Sequence, residues 1–254
     1  MLLAINLNNT NTLFGLYDGD KLINHWRIQT DKGRMPDEYG FLLLGFFEHA
    51  RYRPADVDGI ILSSVVPPMT KIFTRMCERY FDQQPLIISY ETKTGIDILI
   101  DNPETVGADR IVNVAAARQL YGGPACIVDL GTATTFDAMS EQGGYLGGAI
   151  VPGITISADA LFNRTAKLPR VELVAPPNVI GSNTIYAIQS GLIYGYVSLI
   201  EGMVKRFRAE LGPDMQVIAT GGLVGTFSEQ TDMFDHIDPW LTLEGLRLVW
   251  ALNQ

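Results

Sequence analysis

Cys126-Ile-Val-Asp-Leu-Gly-Thr-Ala-Thr-Thr-Phe-Asp137 is the stretch on which the reading of the fold turns. It reads as a short apolar strand, an acid at the strand's end, a glycine turn and a Thr-rich return strand. Gly131 lets the backbone come close to a ligand, and such a turn offers bare N–H groups and hydroxyls to a phosphate. Asp129, just before the turn, can hold a cation beside that anion. The same residues also suit an ordinary hairpin with a Gly-Thr turn. The stretch alone does not choose between the two.

An echo elsewhere in the chain does. Ala4-Ile-Asn-Leu-Asn-Asn-Thr-Asn-Thr12 aligns with Ile127-Val-Asp-Leu-Gly-Thr-Ala-Thr-Thr135. The strand, the polar residue at its end, the turn and the Thr-bearing return strand coincide. Turns at Asp18-Gly19-Asp20 and Gln142-Gly143-Gly144 then lead each copy into a third strand. A duplication of this kind predicts two similar halves, residues 1–121 and 122–254, facing each other across a cleft. A ligand would lie between them, gripped by one turn from each. The chain has no Gly-x-x-x-x-Gly-Lys-Ser/Thr and no Gly-x-Gly-x-x-Gly, so neither common phosphate fingerprint applies.

Working outward, strands are expected at 2–7, 13–17 and 21–28. A helix follows from Met35-Pro36-Asp37-Glu38, with Pro and acids in its first turn. A strand at 57–66 leads to a helix opened by Pro67-Pro68, whose Met69, Ile72, Phe73, Met76 and Tyr80 form a core stripe. A strand is expected at 85–90 and a helix from Gly107. Tyr121-Gly122-Gly123-Pro124 looks like the joint between halves. The second half repeats the pattern with strands at 125–130, 133–139 and 145–151 and a helix from Pro152-Gly153. A long helix at 184–207 carries a small-residue face, Gly191, Gly195, Ser198 and Gly202, read as tight packing inside the domain in preference to a dimer contact. A strand at 216–219 ends in Thr220-Gly221-Gly222, a second turn where backbone could approach a ligand. The alternation of strands and helices is α/β.

Composition excludes several classes. Net charge is −9 and no Lys/Arg run appears, which argues against a nucleic-acid partner. Cys77 and Cys126 read as free thiols of a cytoplasmic protein. No signal-peptide pattern opens the chain, and no apolar run reaches the ~18 residues of a membrane span. His25, His49 and His236 are isolated in sequence. Arg164, Lys167 and Arg170 read as solvated surface, and Trp26, Trp240 and Trp250 as packing.

Taken together, these residues resemble the type III pantothenate kinases of the acetate and sugar kinase/actin-like ATPase superfamily. The resemblance runs nearly end to end. It rests on Ala4–Thr12, Asn102-Pro103, Val106-Gly-Ala-Asp-Arg110, Asp129–Asp137, Tyr145-Leu-Gly-Gly-Ala-Ile-Val-Pro-Gly153, Lys167-Leu-Pro169, Gly181-Ser-Asn-Thr184, Ala219-Thr-Gly-Gly222 and Leu241-Thr-Leu-Glu-Gly-Leu246. It implies two ribonuclease H-like half-domains and ATP-dependent phosphorylation of pantothenate, the first step towards coenzyme A. By the same resemblance Asn6, Leu7, Asn8, Asn9, Thr10, Asn11, Thr12 and Leu13 hold the ATP phosphates, and Thr132 contacts ATP. Asp129 binds a monovalent cation, potassium or ammonium, and Mg²⁺ accompanies ATP. Gly107, Ala108, Asp109, Arg110 and Thr184 line the pantothenate pocket, and Asp109 is the proton acceptor. The family implies a homodimer with that pocket near the subunit interface.

The residues agree in kind. Phosphoryl transfer needs positioning and charge neutralisation more than covalent chemistry. Asp109 sits in a helix's first turn, which favours the carboxylate and makes it a weak base. It is also what a helix N-terminus paired with its neighbour Arg110 would look like. Arg110 suits a carboxylate or a phosphate oxygen.

The chain departs from the family at its first turn, which usually reads Asp-x-Gly-Asn-Thr. Here it is Asn6-Leu7-Asn8-Asn9-Thr10. Asn6 keeps an oxygen but loses a charge that would help hold Mg²⁺, since hard cations prefer carboxylates and water. Asn8 tolerates a positive φ, so the turn is expected to survive. Ile100 stands where many relatives carry a tyrosine that contacts pantothenate. Slowed catalysis is therefore expected. Two other readings stay open. One is a non-catalytic relative that binds ligand or partner and regulates. The other is a metal-dependent nuclease using Asp109, Asp129 and Asp137, which the acidic balance disfavours.

Overall fold

The computed structural model describes residues 1–254. In chain order its strands are β1 (Leu2–Leu7), β2 (Asn11–Asp18), β3 (Lys21–Gln29), β4 (Gly59–Ser64), β5 (Leu86–Ile87), β6 (Ala125–Leu130), β7 (Ala133–Met139), β8 (Tyr145–Pro152), β9 (Gln216–Thr220) and β10 (His236–Ile237). Its helices are α1 (Pro36–His49), α2 (Pro67–Phe81), α3 (Ala108–Leu120), α4 (Ile154–Asn163), α5 (Thr184–Leu211), α6 (Val224–Ser228) and α7 (Leu241–Leu252). The chain forms two compact units. Unit 1 is Met1–Ile96, Asp101–Ala116 and Leu241–Gln254, and unit 2 is Asp97–Ile100 and Ala117–Trp240.

Unit 1 is built on a five-stranded sheet in the order β3-β2-β1-β4-β5. β1 pairs antiparallel with β2 and parallel with β4. All six residues of β1 are buried, as befits a central strand covered on both faces. On one face Leu3, Ile5, Leu7, Phe14, Ile60 and Leu62 pack against α1 and α2. Each fully buried side chain of this size contributes about 1.5–3 kcal/mol. The stripe on α2 supplies Met69, Phe73 and Met76 fully buried, as the spacing predicts. On the other face α7 lies close: a Cβ at Gly15 would crowd Leu243, and one at Gly59 would collide with Trp250.

Unit 2 repeats the plan in the order β10-β9-β6-β7-β8. β6 pairs antiparallel with β7 and parallel with β9. Cys126, Val128, Leu130, Phe136, Val217 and Ala219 bury one face against α5 and α6. The expected α/β class and ribonuclease H-like halves are both present.

Some details differ from expectation. The strand expected at 85–90 is only β5, two residues long. Pro85 has no N–H to give, and Ser89 already turns back, its N–H bonded to Thr92 Oγ1 at 2.9 Å. The strand expected at 57–66 narrows to β4. The small-residue face of α5 is not packed inside unit 2. Gly191, Gly195 and Ser198 are exposed, and a Cβ on either glycine would meet open space. The two turns also differ in length. Leu7 pairs with Thr12 but Leu130 with Thr134, so the first loop is one residue longer. Register places Leu13, not Thr12, in the position of Thr135.

Candidate active site

In unit 1 the first turn grows from the C-terminal end of β1. Asn8 N–H bonds Asn11 C=O at 3.1 Å, and Thr30 N–H bonds Thr10 C=O at 2.9 Å. The turn forms without a left-handed residue: only Arg51 and Asp82 among non-glycines have positive φ. The positive φ allowed for at Asn8 is therefore not used. Leu7 is fully buried in the core, and the buried Thr12 hydroxyl bonds that of Thr30 at 2.9 Å. Those two side chains are committed to packing, so they could serve a ligand only through backbone. Asn9, Thr10 and Asn11 are exposed, and Leu13 is half-buried.

Asn6 is 5% exposed and lies directly beside Ser63 of β4, which is fully buried. Asn6 Oδ1, Asn8 Oδ1 and Ser63 Oγ are all buried with no hydrogen-bond partner. Orphan polar atoms of this kind are costly unless something satisfies them. Neutral oxygens gathered at a strand end suit a hydrated cation or a donor group on a ligand, so the residues present fit Mg²⁺ held through water, without a carboxylate.

The start of α3 lies nearby in the same unit. Gly107 C=O accepts from Arg110 N–H at 3.1 Å and Ile111 N–H at 3.2 Å. Asp109 Oδ1 accepts from Arg110 N–H at 2.8 Å, which fixes the carboxylate over the helix's first turn. A Cβ at Gly107 would stand 3.4 Å from Val65 Cγ1, and Val65 N–H bonds Leu7 C=O at 3.1 Å. Unit 1 thus brings Gly107, Ala108, Asp109 and Arg110 next to the strand end that carries Asn6.

In unit 2 the opening stretch forms the corresponding turn. Gly131 N–H bonds Ala133 C=O at 3.1 Å, and Thr132 C=O accepts from Gly153 N–H at 3.1 Å. Asp129 is half-buried at the end of β6. Three glycines let the backbone pack closely around this turn. A Cβ at Gly221 (φ +97°) would collide with Asp129 Oδ1, one at Gly131 would sit 3.5 Å from the same atom, and one at Gly153 would collide with Thr132 O. The Asp129 carboxylate and the backbone carbonyls of this turn are oxygen donors of the kind that suit a hard monovalent cation. The Gly221 turn was legible in the sequence. Gly153 reads there only as a helix start, and its Pro-Gly signal does not reveal that it guards Thr132.

Thr184 is exposed at the start of α5, whose N-terminus Asn183 caps by accepting from Tyr186 N–H at 2.9 Å. It lines a groove with Ser157, Leu161, Gly181, Ile188 and Leu192. Val179 and Ile180 beside it are 66% and 88% exposed. Of the basic residues expected on the surface, Arg170 pairs with Asp159 at 3.3 Å and lies 4.6 Å over the Phe162 ring. His236 bonds Gln216 at 2.9 Å and stacks on Tyr121. Both free thiols are buried, and burial pushes Cys77 up to about 12.

Comparison with known proteins gives the chain's relatives. The chain is 51% identical over 254 residues to a type III pantothenate kinase of Exiguobacterium, covering all of both chains. Among solved structures it is similar to a putative Baf family transcriptional activator from Campylobacter jejuni, at TM-score 0.61 and 19% identity over 99% of this chain and 98% of that one. It is also similar to the Clostridium difficile activator of 2-hydroxyisocaproyl-CoA dehydratase with bound ADPNP, at TM-score 0.54 and 12% identity over 99% and 94%. At those identities the two structures speak for the fold alone. The family model for type III pantothenate kinase matches residues 2–206, and with full-length identity near one half the chain belongs to that family.

Proposed function

We propose that this protein phosphorylates pantothenate with ATP, giving 4'-phosphopantothenate at the entry to coenzyme A synthesis in the cytoplasm. The observation that carries the reading is the 51% identity over the whole of both chains with a protein of that name. The local geometry supports it in kind, because each unit ends its central strand in a polar residue and an accessible turn.

In this mechanism the backbone N–H groups of residues 6–13 and the Thr132 region hold the ATP phosphates. Gly107, Ala108, Arg110 and Thr184 bind pantothenate, with the Arg110 guanidinium facing its carboxylate. Asp109 orients the attacking hydroxyl and accepts its proton late, in a loose transition state. Asp129 would hold potassium or ammonium, and Asn6 and Asn8 would face Mg²⁺. The cations would supply neutralisation of phosphate charge. With an amide in place of a carboxylate at residue 6, turnover is slow. The uncovered face of α5 and the exposed Val179 and Ile180 support a homodimer, with Thr184 near its interface. No observation favours the non-catalytic reading.

The test follows ADP release by a coupled assay. The expected result is release that requires pantothenate and rises with added potassium. Release equal with and without pantothenate would overturn the proposal, and sedimentation of a monomer at micromolar concentration would remove the dimer.

A further inference from the structure

Asp137 is fully buried in the middle of β7. An acid there is costly unless it is well bonded. The fold itself does not ask for it. The registers Ile127↔Asp137 and Ala4↔Gly15 make Gly15 its counterpart in unit 1. The same registers set Thr135 opposite Asp129, where unit 1 sets Leu13 opposite Asn6. The acid and the hydroxyl are thus a paired feature of the unit 2 turn alone.

Their bonding is directional. Asp137 Oδ1 accepts from Tyr145 Oη at 2.8 Å, and Oδ2 accepts from Thr135 Oγ1 at 3.0 Å. A threonine hydroxyl has one proton and two lone pairs. With its proton given to Asp137, Thr135 has only lone pairs left to present to its cross-strand neighbour. Directly opposed residues lie on one face of a sheet, with Cβ atoms about 4.5–5.5 Å apart. That face is the one away from α5, where the Gly131 and Gly221 backbones come close to Asp129 Oδ1 without adding a side chain.

We propose that the Thr135 hydroxyl is a second oxygen donor to the monovalent cation at Asp129, and that Asp137 is the positioning residue that turns its lone pairs there. The inference rests on the reading of Asp129 as the cation holder. Tyr145 holds the other oxygen of Asp137 so that the carboxylate cannot swing away.

The test uses the full chain and its Asp129→Asn, Thr135→Val, Thr135→Ser and Asp137→Asn variants. Potassium chloride is titrated against choline chloride at constant ionic strength. Two readouts are followed: the potassium-dependent rise in melting temperature, and the half-activating potassium concentration in the kinase assay. Removing one ligand oxygen is expected to raise both half-saturation values about tenfold in Thr135→Val, while Thr135→Ser stays within about twofold. Asp137→Asn should move in the same direction as Thr135→Val, and the double variant should be no worse than Thr135→Val alone. If the parent responds to potassium and Asp129→Asn abolishes that response, but Thr135→Val titrates like the parent, the inference falls and the Asp129 reading stands. If Asp137→Asn lowers the melting temperature without moving either half-saturation value, its role is structural and the positioning claim fails. A parent insensitive to potassium in both readouts overturns both readings.

Discussion

Replacing Asn6 by Asp tests the argument about the first turn most directly. Asn6 is 5% exposed, its Oδ1 has no partner, and its neighbour Ser63 Oγ has none either. A carboxylate put there gains attraction to a nearby cation worth about 4 kcal/mol per unit charge at 4 Å and an effective dielectric of 20. It loses part of that to the several kcal/mol cost of taking a carboxylate out of water. A net gain of a few kcal/mol, if expressed in the transition state, raises kcat on the order of 10- to 1000-fold. Steady-state ADP release across a Mg²⁺ titration measures it, and the half-saturating Mg²⁺ should fall. Without ligand the sign reverses. A buried, uncompensated Asp has its carboxyl raised above the unfolded value of about 3.9. Stability is then kept below pH 4 and lost as pH rises through the folded value. The melting temperature of Asn6→Asp should match the parent near pH 4 and fall below it by pH 8. Unchanged kcat together with an unchanged Mg²⁺ requirement would refute the idea that the missing charge limits catalysis.

Three further outcomes follow from the same geometry. Asp109→Asn should lower kcat by about 10²–10⁴-fold with little change in the KM for ATP, read from initial rates. Gly153→Ala drives a Cβ into Thr132 O, and the displaced turn should raise the KM for ATP about tenfold, a loss of the size of one hydrogen bond, with unchanged circular dichroism. Burial raises Cys77 to about 12 and pushes Cys126 up as well, so neither thiol should react with a thiol reagent at pH 8 until the chain unfolds. Because both are held protonated in the fold, the stability they contribute is complete below about pH 9 and drains away towards pH 12. A melting curve taken across that range checks the sign.

Much of this was legible in the sequence because it is local. The strand–turn–strand echo, the Pro-opened helices and the stripe Met69–Tyr80 each follow from spacing within one element. What sequence could not give is set by register and by partners far along the chain. The alignment of Thr12 with Thr135 fails by one residue because the two loops differ in length, which only strand pairing reveals. The glycine stripe on α5 carries the same letters whether it is covered or open. Helix α7 is hard to see because Gly245 interrupts it, and that glycine is needed where a Cβ would collide with Val112 O of α3. The pairing of Asp137 with Thr135 and Tyr145 likewise depends on three side chains meeting on one face.

Helix α7 has one more consequence. It covers a face of the unit 1 sheet, with Trp250 set against Gly59 and Leu243 against Gly15, yet residues 241–254 are made after all of unit 2. On the ribosome, residues 117–240 emerge as a nearly complete unit and can settle first. The older half must wait, with an apolar sheet face bare, until the newest helix arrives to close it. The order of synthesis and the order of completion are therefore opposite, and the exposed face of the waiting half is where a chaperone would be needed.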